Sequence, residues 1–262
     1  EYVDRYDDFA RYLCGRGFAV IGHDHLGHGL TAGCDEDLGY FARAGGDQIV
    51  IDDMYLVTEE MKRRFPSVTH FILGHSMGSF FLRKYLTYYG DKVDGAIIMG
   101  TGDFPLALAE GGKAMAWALM KTKGRRYRSQ KLSNMVFKGY LSRIENPRTP
   151  MDWLTKDEVI VDAYCKNKYN TFLFPVSAFY DFFAVIEYDA KMKNFDRIPR
   201  GLPVLIVSGR EDPVGSWGKG PESLCARYRS KGMTDVTLKL YDNDRHEIIN
   251  ETDRDVVYAD LA

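Results

Sequence analysis

A chain of 262 residues and 29.9 kDa fills one large domain, or one domain carrying an insertion, because single hydrophobic cores stop growing near roughly 250–300 residues. Hydrophobic residues make up 45% and charged residues 27%, near the averages of folded soluble chains, which excludes disordered, collagen-like and low-complexity classes. Thirty-five Lys and Arg against 37 Asp and Glu leave a net charge of −2, which argues against a nucleic-acid partner, and no apolar run approaches the roughly 20 residues that span a bilayer.

Tyr6, Phe9, Ala10 and Leu13 recur at helical spacing before Gly15 and Gly17, so Arg5 to Cys14 reads as an amphipathic helix. Phe18 to Ile21 reads as a short buried strand, followed by a glycine-rich loop from Gly22 to Gly33. Ile49 to Phe65 reads as a helix ended by Pro66, His70 to Leu73 as a strand, Ser79 to Tyr89 as a helix and Gly95 to Met99 as a strand. The strands are continuously apolar rather than alternating, as in a parallel sheet covered on both faces. From Phe104 to Phe195 the rhythm stops, and the segment is helical in character and rich in aromatics. It resumes with a strand from Pro203 to Val207, a helix from Gly220 to Lys231, a strand from Val236 to Tyr241 and a helical start at Arg254. The expected organisation is therefore an α/β core made of residues 1–103 and 196–262, with residues 104–195 inserted between two sheet strands. Cys14, Cys34, Cys165 and Cys225 are scattered without a CxxC pair, which favours a reducing, cytoplasmic setting. The chain opens at Glu1 rather than Met, so a secretory signal is not decided by these residues.

Gly74-His75-Ser76-Met77-Gly78 falls between a strand and a helix, the context in which GxSxG describes a nucleophile elbow. Ser76 then sits on a tight, strained turn, and Gly74 and Gly78 are expected to be glycine because side chains there would strike the neighbouring strand and helix. A serine hydroxyl needs a base within hydrogen-bond reach and a third group to orient that base. On such a sheet, the acid and then the histidine follow in loops after later strands. Asp212 comes four residues after Ser208, and His246 comes five residues after Tyr241 as the only histidine beyond His75. Glu211 is an adjacent reserve for the acid, since spacing alone does not separate the two. His23-Asp24-His25-Leu26-Gly27-His28 lies near the HxHxDH pattern of zinc hydrolases, but Gly27 stands where that pattern needs Asp. We therefore expect no metal and no cofactor there, and a glycine-rich turn whose polar side chains bond to backbone.

In the inserted segment, a mainly apolar stretch from Phe104 to Met120 adjoins Lys121, Lys123, Arg125, Arg126, Arg128 and Lys131. This fits an interfacial element that touches a membrane, and it fits better a lid helix packed on the core with a solvated basic end. Phe172, Phe174, Phe179, Tyr180, Phe182, Phe183 and Tyr188 form an aromatic stretch that builds core or lines an acyl pocket.

Arg5-Tyr6-Asp7, Gly22-His23-Asp24-His25, Gly27-His28-Gly29, the elbow at Ser76, Asp212-Pro213-Val214-Gly215 and His246-Glu247, in this order, resemble the monoacylglycerol lipase and lysophospholipase-like branch of the α/β-hydrolase superfamily. Asn146-Pro147-Arg148-Thr149 with Asp152-Trp153-Leu154 is similar to bacterial members. The resemblance covers nearly the whole chain. It implies an α/β-hydrolase fold with a mostly parallel sheet and a helical cap, Ser76 as nucleophile, His246 as general base and acid, Asp212 as its orienting acid, and the Met77 N–H in the oxyanion hole. It also implies sheet strands and a His-Gly loop with a second oxyanion donor ahead of Glu1, and Leu26 stands where many relatives have Arg. The function it implies is hydrolysis of monoacylglycerols, lysophospholipids or similar single-chain lipid esters through an acyl-enzyme. Amide or thioester cleavage on the same triad, and a non-catalytic lipid-binding homologue, stand as alternatives. Oligomeric state is not readable.

Overall fold

The computed structural model describes all residues, 1–262. Four strands, β1 (Phe71–His75), β2 (Gly95–Met99), β3 (Val204–Gly209) and β4 (Val236–Tyr241), form a sheet that is parallel throughout, in the order β1-β2-β3-β4. The register pairs Leu73 with Ile97, Ile97 with Leu205 and Leu205 with Thr237. A 3₁₀ turn at Val3–Tyr6 runs into α1 (Asp7–Cys14); α2 (Gly46–Arg64) precedes β1, and α3 (Met77–Tyr89) joins β1 to β2. Between β2 and β3 lie α4 (Leu106–Lys123), α5 (Gln130–Val136), α6 (Glu158–Lys166), α7 (Lys168–Thr171), α8 (Val176–Ala190) and α9 (Met192–Phe195). Then α10 (Lys219–Ser230) joins β3 to β4, and α11 (Arg254–Leu261) follows β4. None of the helices is long and apolar enough to cross a membrane.

Period two along a strand explains why β2, covered on both faces, is apolar at every position, whereas the edge strand β4 exposes Thr237 and Lys239. Ala96, Ile98, Val204 and Ile206 turn to one face and pack with Val50, Ile51, Phe80, Phe81 and Leu224. Met99 and Val207 turn to the other and meet Phe9, Ile248, Ile249, Val257 and Tyr258. Ile98 and Ile206 are completely buried, each worth about 1.5–3 kcal/mol of burial. The larger core continues without a break into the inserted helices through Ala109, Ala178, Val185, Ile186 and Phe195. There α4 crosses α8 so closely that a Cβ on Gly112 would lie 2.6 Å from the Phe183 ring, which makes glycine the residue that fits.

One expected strand does not form. Phe18 to Ile21 belongs to no strand and has no ladder, and Ala19 to Asp24 take part in no backbone–backbone hydrogen bond. Apolar content alone does not make a strand; a partner edge must satisfy its N–H and C=O groups. No strand lies alongside, and Phe18, Val20 and Ile21 remain exposed. The other expected strands and helices are present, their ends shifted by a few residues; α2, for example, begins at Gly46 rather than Ile49.

Candidate active site

Ser76 sits between the last residue of β1 and the first of α3, with φ 53° and ψ −123°. A serine pays for a positive φ with about 1–3 kcal/mol of backbone strain, which the surrounding structure must hold in place. Its N–H donates to the Met99 carbonyl at 3.0 Å, and its own carbonyl accepts from the Ser79 N–H at 2.8 Å and the Ser79 hydroxyl at 2.6 Å. These bonds fix the turn to β2 on one side and to the first turn of α3 on the other. Gly74 is required, because a Cβ there would lie 2.5 Å from the Gly78 carbonyl oxygen and 2.9 Å from the Leu82 Cβ. Gly78 is different: a Cβ there meets nothing within 4 Å. The expected collision at Gly78 is thus corrected; it is the carbonyl of Gly78, not its α-carbon, that faces the strand. Met77 is the first residue of α3, so its N–H has no acceptor within the helix.

Asp212 and His246 come together from the ends of β3 and β4. The loop carrying His246 crosses so close to β3 that a Cβ on Gly209 would lie 2.1 Å from the carbonyl oxygens of both Asp244 and Arg245. Under that crossing, His246 Nδ1 lies 3.0 Å from Asp212 Oδ2. The other carboxylate oxygen accepts the Val214 N–H at 2.8 Å, and Ser208 Oγ lies 3.3 Å from Oδ2. Both side chains are buried, and His246 Nε2 has no hydrogen-bond partner. Donation of Nδ1–H to the carboxylate would leave the lone pair of Nε2 free, the arrangement a general base needs. Glu211 is elsewhere: its half-exposed carboxylate is 3.2 Å from Lys156 Nζ.

Ser76, Met77 and His246 open onto one cavity of about 2290 Å³. Its walls include Phe104, Leu108, Tyr140, Trp153, Phe182 and Val214. Of the aromatic stretch, Phe172, Phe174, Phe179, Phe182 and Phe183 line it; Tyr188 instead shares a 2.9 Å hydrogen bond with Thr87, and the Lys113 ammonium lies over the ring of Tyr180. The cavity is larger than the roughly 300–1,000 Å³ of most ligand sites. Its lining also includes the unpaired Phe18–Ile21 segment and Phe71, Ile72 and Leu73 of β1.

The histidine-rich turn is held by its own polar side chains. The Asp24 carboxylate accepts from the Val3 and Leu30 N–H groups, His28 Nδ1 lies 3.0 Å from the Leu26 carbonyl oxygen, and Thr31 Oγ1 donates to the His25 carbonyl. His28 packs against Phe41, Phe172 and Phe174. Burial pushes its pKa down to about 4, so the ring is neutral near pH 7. No three His, Cys, Asp or Glu side chains converge as metal ligands.

Spacing in the sequence did not reveal how His246 is mounted. Arg5 forms a two-pronged ion pair with Glu247, the residue after His246, at 2.5 and 2.6 Å. His75 Nε2 lies 3.2 Å from the His246 carbonyl oxygen, and Tyr6 Oη is 2.9 Å from His75 Nδ1. Burial alone would lower the His75 pKa, but hydrogen bonding and charge from Glu1 prevail, and the net direction is upward. The signal was present as Arg5-Tyr6 and His246-Glu247, two of the pieces that carry the family resemblance, but nothing in their spacing said that they touch.

The chain matches the serine aminopeptidase, S33 family over residues 1–253. It is 26% identical to the monoglyceride lipase of Mus musculus over 257 residues, covering 96% of this chain and 73% of that protein. Among solved structures it is similar to a thermostable carboxyl esterase from Bacillus coagulans in complex with glycerol, with TM-score 0.91 and 28% identity over 100% of this chain and 84% of that one. It also resembles a soluble variant of monoglyceride lipase from Saccharomyces cerevisiae, with TM-score 0.76 and 20% identity over 100% of this chain and 81% of that one, a likeness of fold. With the parallel sheet, the elbow between β1 and α3, and a family match along nearly its whole length, the chain belongs to the serine aminopeptidase, S33 family of α/β-hydrolases and is similar to monoglyceride lipases.

Proposed function

We propose that this α/β-hydrolase is a serine carboxylic-ester hydrolase that cleaves monoacylglycerols, lysophospholipids or similar single-chain lipid esters. The observation that carries the reading is the buried Asp212–His246 pair, whose histidine, with Nε2 left without a hydrogen-bond partner, lines the same largely apolar cavity as Ser76. Ser76 Oγ attacks the ester carbonyl while His246 Nε2 takes its proton, and the Asp212 carboxylate stabilises the resulting imidazolium. The Met77 N–H at the start of α3 faces the developing oxyanion, a type of contact worth about 3–4 kcal/mol per donor. The imidazolium returns the proton to the departing alcohol and leaves an acyl-Ser76; His246 then deprotonates water, which attacks the acyl carbon and releases the acid.

Residues 104–195 act as the cap that shields the acyl chain, with Phe174, Phe179, Phe182 and Phe183 as its walls. The exposed Leu106, Leu108, Met115 and Trp117 of α4, next to Lys121 and Lys123, suit peripheral contact with a lipid surface. Four unpaired cysteines favour a cytoplasmic setting.

Replacing Ser76 with Ala abolishes hydrolysis of a short p-nitrophenyl ester and labelling by a fluorophosphonate; retained turnover refutes the mechanism. Rates on a monoacylglycerol, an aminoacyl amide and an acyl thioester separate ester cleavage from the amidase and thioesterase alternatives. Ligand binding without turnover on any of them identifies a non-catalytic lipid binder.

A further inference from the structure

The loop that carries His246 is fastened to the inserted segment as well as to the core. Glu251, five residues after His246, is 1% exposed. One carboxylate oxygen accepts the Thr155 hydroxyl at 2.9 Å and the Lys156 N–H at 3.0 Å; the other accepts the Arg245 N–H at 2.8 Å. The strap Asp152–Lys156 returns further bonds. Arg245 Nη1 donates to the Asp152 carbonyl at 2.6 Å, and the Glu247 N–H donates to the Leu154 carbonyl at 2.7 Å. The Trp153 ring centroid lies 5.0 Å from that of His246. A buried carboxylate with three donors is a strong, directional anchor, because charge-assisted bonds gain strength away from water.

We infer that Glu251 is a positioning residue for catalysis: it clamps the His246 loop to the Asp152–Lys156 strap, so this part of the inserted segment is a fixed mounting for the base and not part of a moving lid. The inference rests on the reading of His246 as general base. It divides residues 104–195 into two functions, a strap that sets the imidazole and helices that wall the acyl cavity. Glu251 touches no reacting atom, so its removal disturbs the chemical step and leaves substrate binding alone.

The test compares the wild-type enzyme with Glu251→Gln and Thr155→Val on a short soluble p-nitrophenyl ester. The amide places a donor where the strap already presents donors, so in Glu251→Gln kcat falls at least tenfold while KM stays within twofold. The low-field proton resonance of His246 Nδ1–H, assigned by its loss in His246→Ala, shifts or broadens. A folded Glu251→Gln enzyme with kcat within twofold of wild type and an unmoved resonance overturns the inference, as does a rise in KM alone. If Glu251→Gln fails to fold, Thr155→Val decides with the same readouts, since it removes one strap donor at nearly constant volume. A threefold or greater loss of kcat supports the clamp, and wild-type kcat overturns it. Ser76→Ala, run in parallel, keeps the two levels apart: activity in that variant sinks the triad itself, whereas its inactivity alongside a fully active Glu251→Gln sinks only the clamp.

Discussion

Asp212 Oδ2 lies 3.0 Å from His246 Nδ1, although the two residues are 34 positions apart and come from the ends of different strands. The carboxylate, 0% exposed, is further held by Val214 and Ser208. This geometry separates the two acids that spacing left adjacent, because Glu211 turns outward to Lys156. Replacing Asp212 with Asn allows the amide N–H₂ to face Nδ1 and stabilises the wrong tautomer. The expected loss in kcat is about 10³–10⁴-fold. Glu211→Gln leaves kcat within about twofold, as a surface ion pair contributes little. Steady-state kinetics of the two variants check both statements, and comparable losses would contradict the assignment.

The two elbow glycines should respond in opposite ways. Gly74→Ala drives a Cβ into backbone and is expected to cost roughly 2–4 kcal/mol, since the obstacle is not a flexible side-chain end. Gly78→Ala enters open space in the first turn of α3 and should be neutral or stabilising by up to about 1 kcal/mol. Urea unfolding of both variants measures the contrast.

Asp181, on α8, provides a pH-dependent term in stability. Its carboxyl is pushed up to about 7, first by burial and then by Asp47, with Arg125 and Lys84 pulling the other way. The folded state keeps this proton at pH values where the unfolded chain has released it. The group's contribution therefore declines as pH climbs from about 4 to about 7 and is fully lost above that. Asp181→Asn removes the titration, so the variant gains on the parent as pH rises, by on the order of 1–3 kcal/mol between about pH 5 and pH 8. Urea midpoints at the two pH values provide the check; a difference that does not grow with pH contradicts it.

If the exposed apolar residues of α4 meet lipid, their removal should separate surface binding from chemistry. Leu106→Ser combined with Trp117→Ser is expected to reduce retention on phosphatidylserine-containing vesicles and turnover of vesicle-borne monoacylglycerol about tenfold or more, because two exposed apolar side chains outside the cavity are lost. Hydrolysis of a water-soluble short ester should change less than twofold. Flotation and parallel assays distinguish this from a general loss of activity, in which both substrates suffer alike.

Much of the fold could be read from the chain itself. The apolar strand Gly95–Met99 has the expected ends, because a strand buried on both faces needs apolar side chains at every position. The elbow was visible for a similar reason: GxSxG between strand and helix is local geometry, expressed by Gly74 and the strained Ser76. Phe18–Ile21 shows the limit, since its composition is that of a strand but ladder hydrogen bonds depend on a neighbour that composition does not specify.

The opening figures of 262 residues and near-zero net charge determined little more than a folded core with room for an insertion. Local patterns then determined the parallel sheet, the elbow and the order in which acid and histidine follow. Only the tertiary structure decided that Asp212 rather than Glu211 faces His246, that Gly74 but not Gly78 is sterically required, and that Arg5, His75 and Glu251 hold the His246 loop. The physical reason is range. Backbone conformation and burial periodicity are set within a few residues of chain, whereas hydrogen bonds such as that of Arg5 to Glu247, 242 positions apart, exist only after packing brings the partners together and removes water from between them.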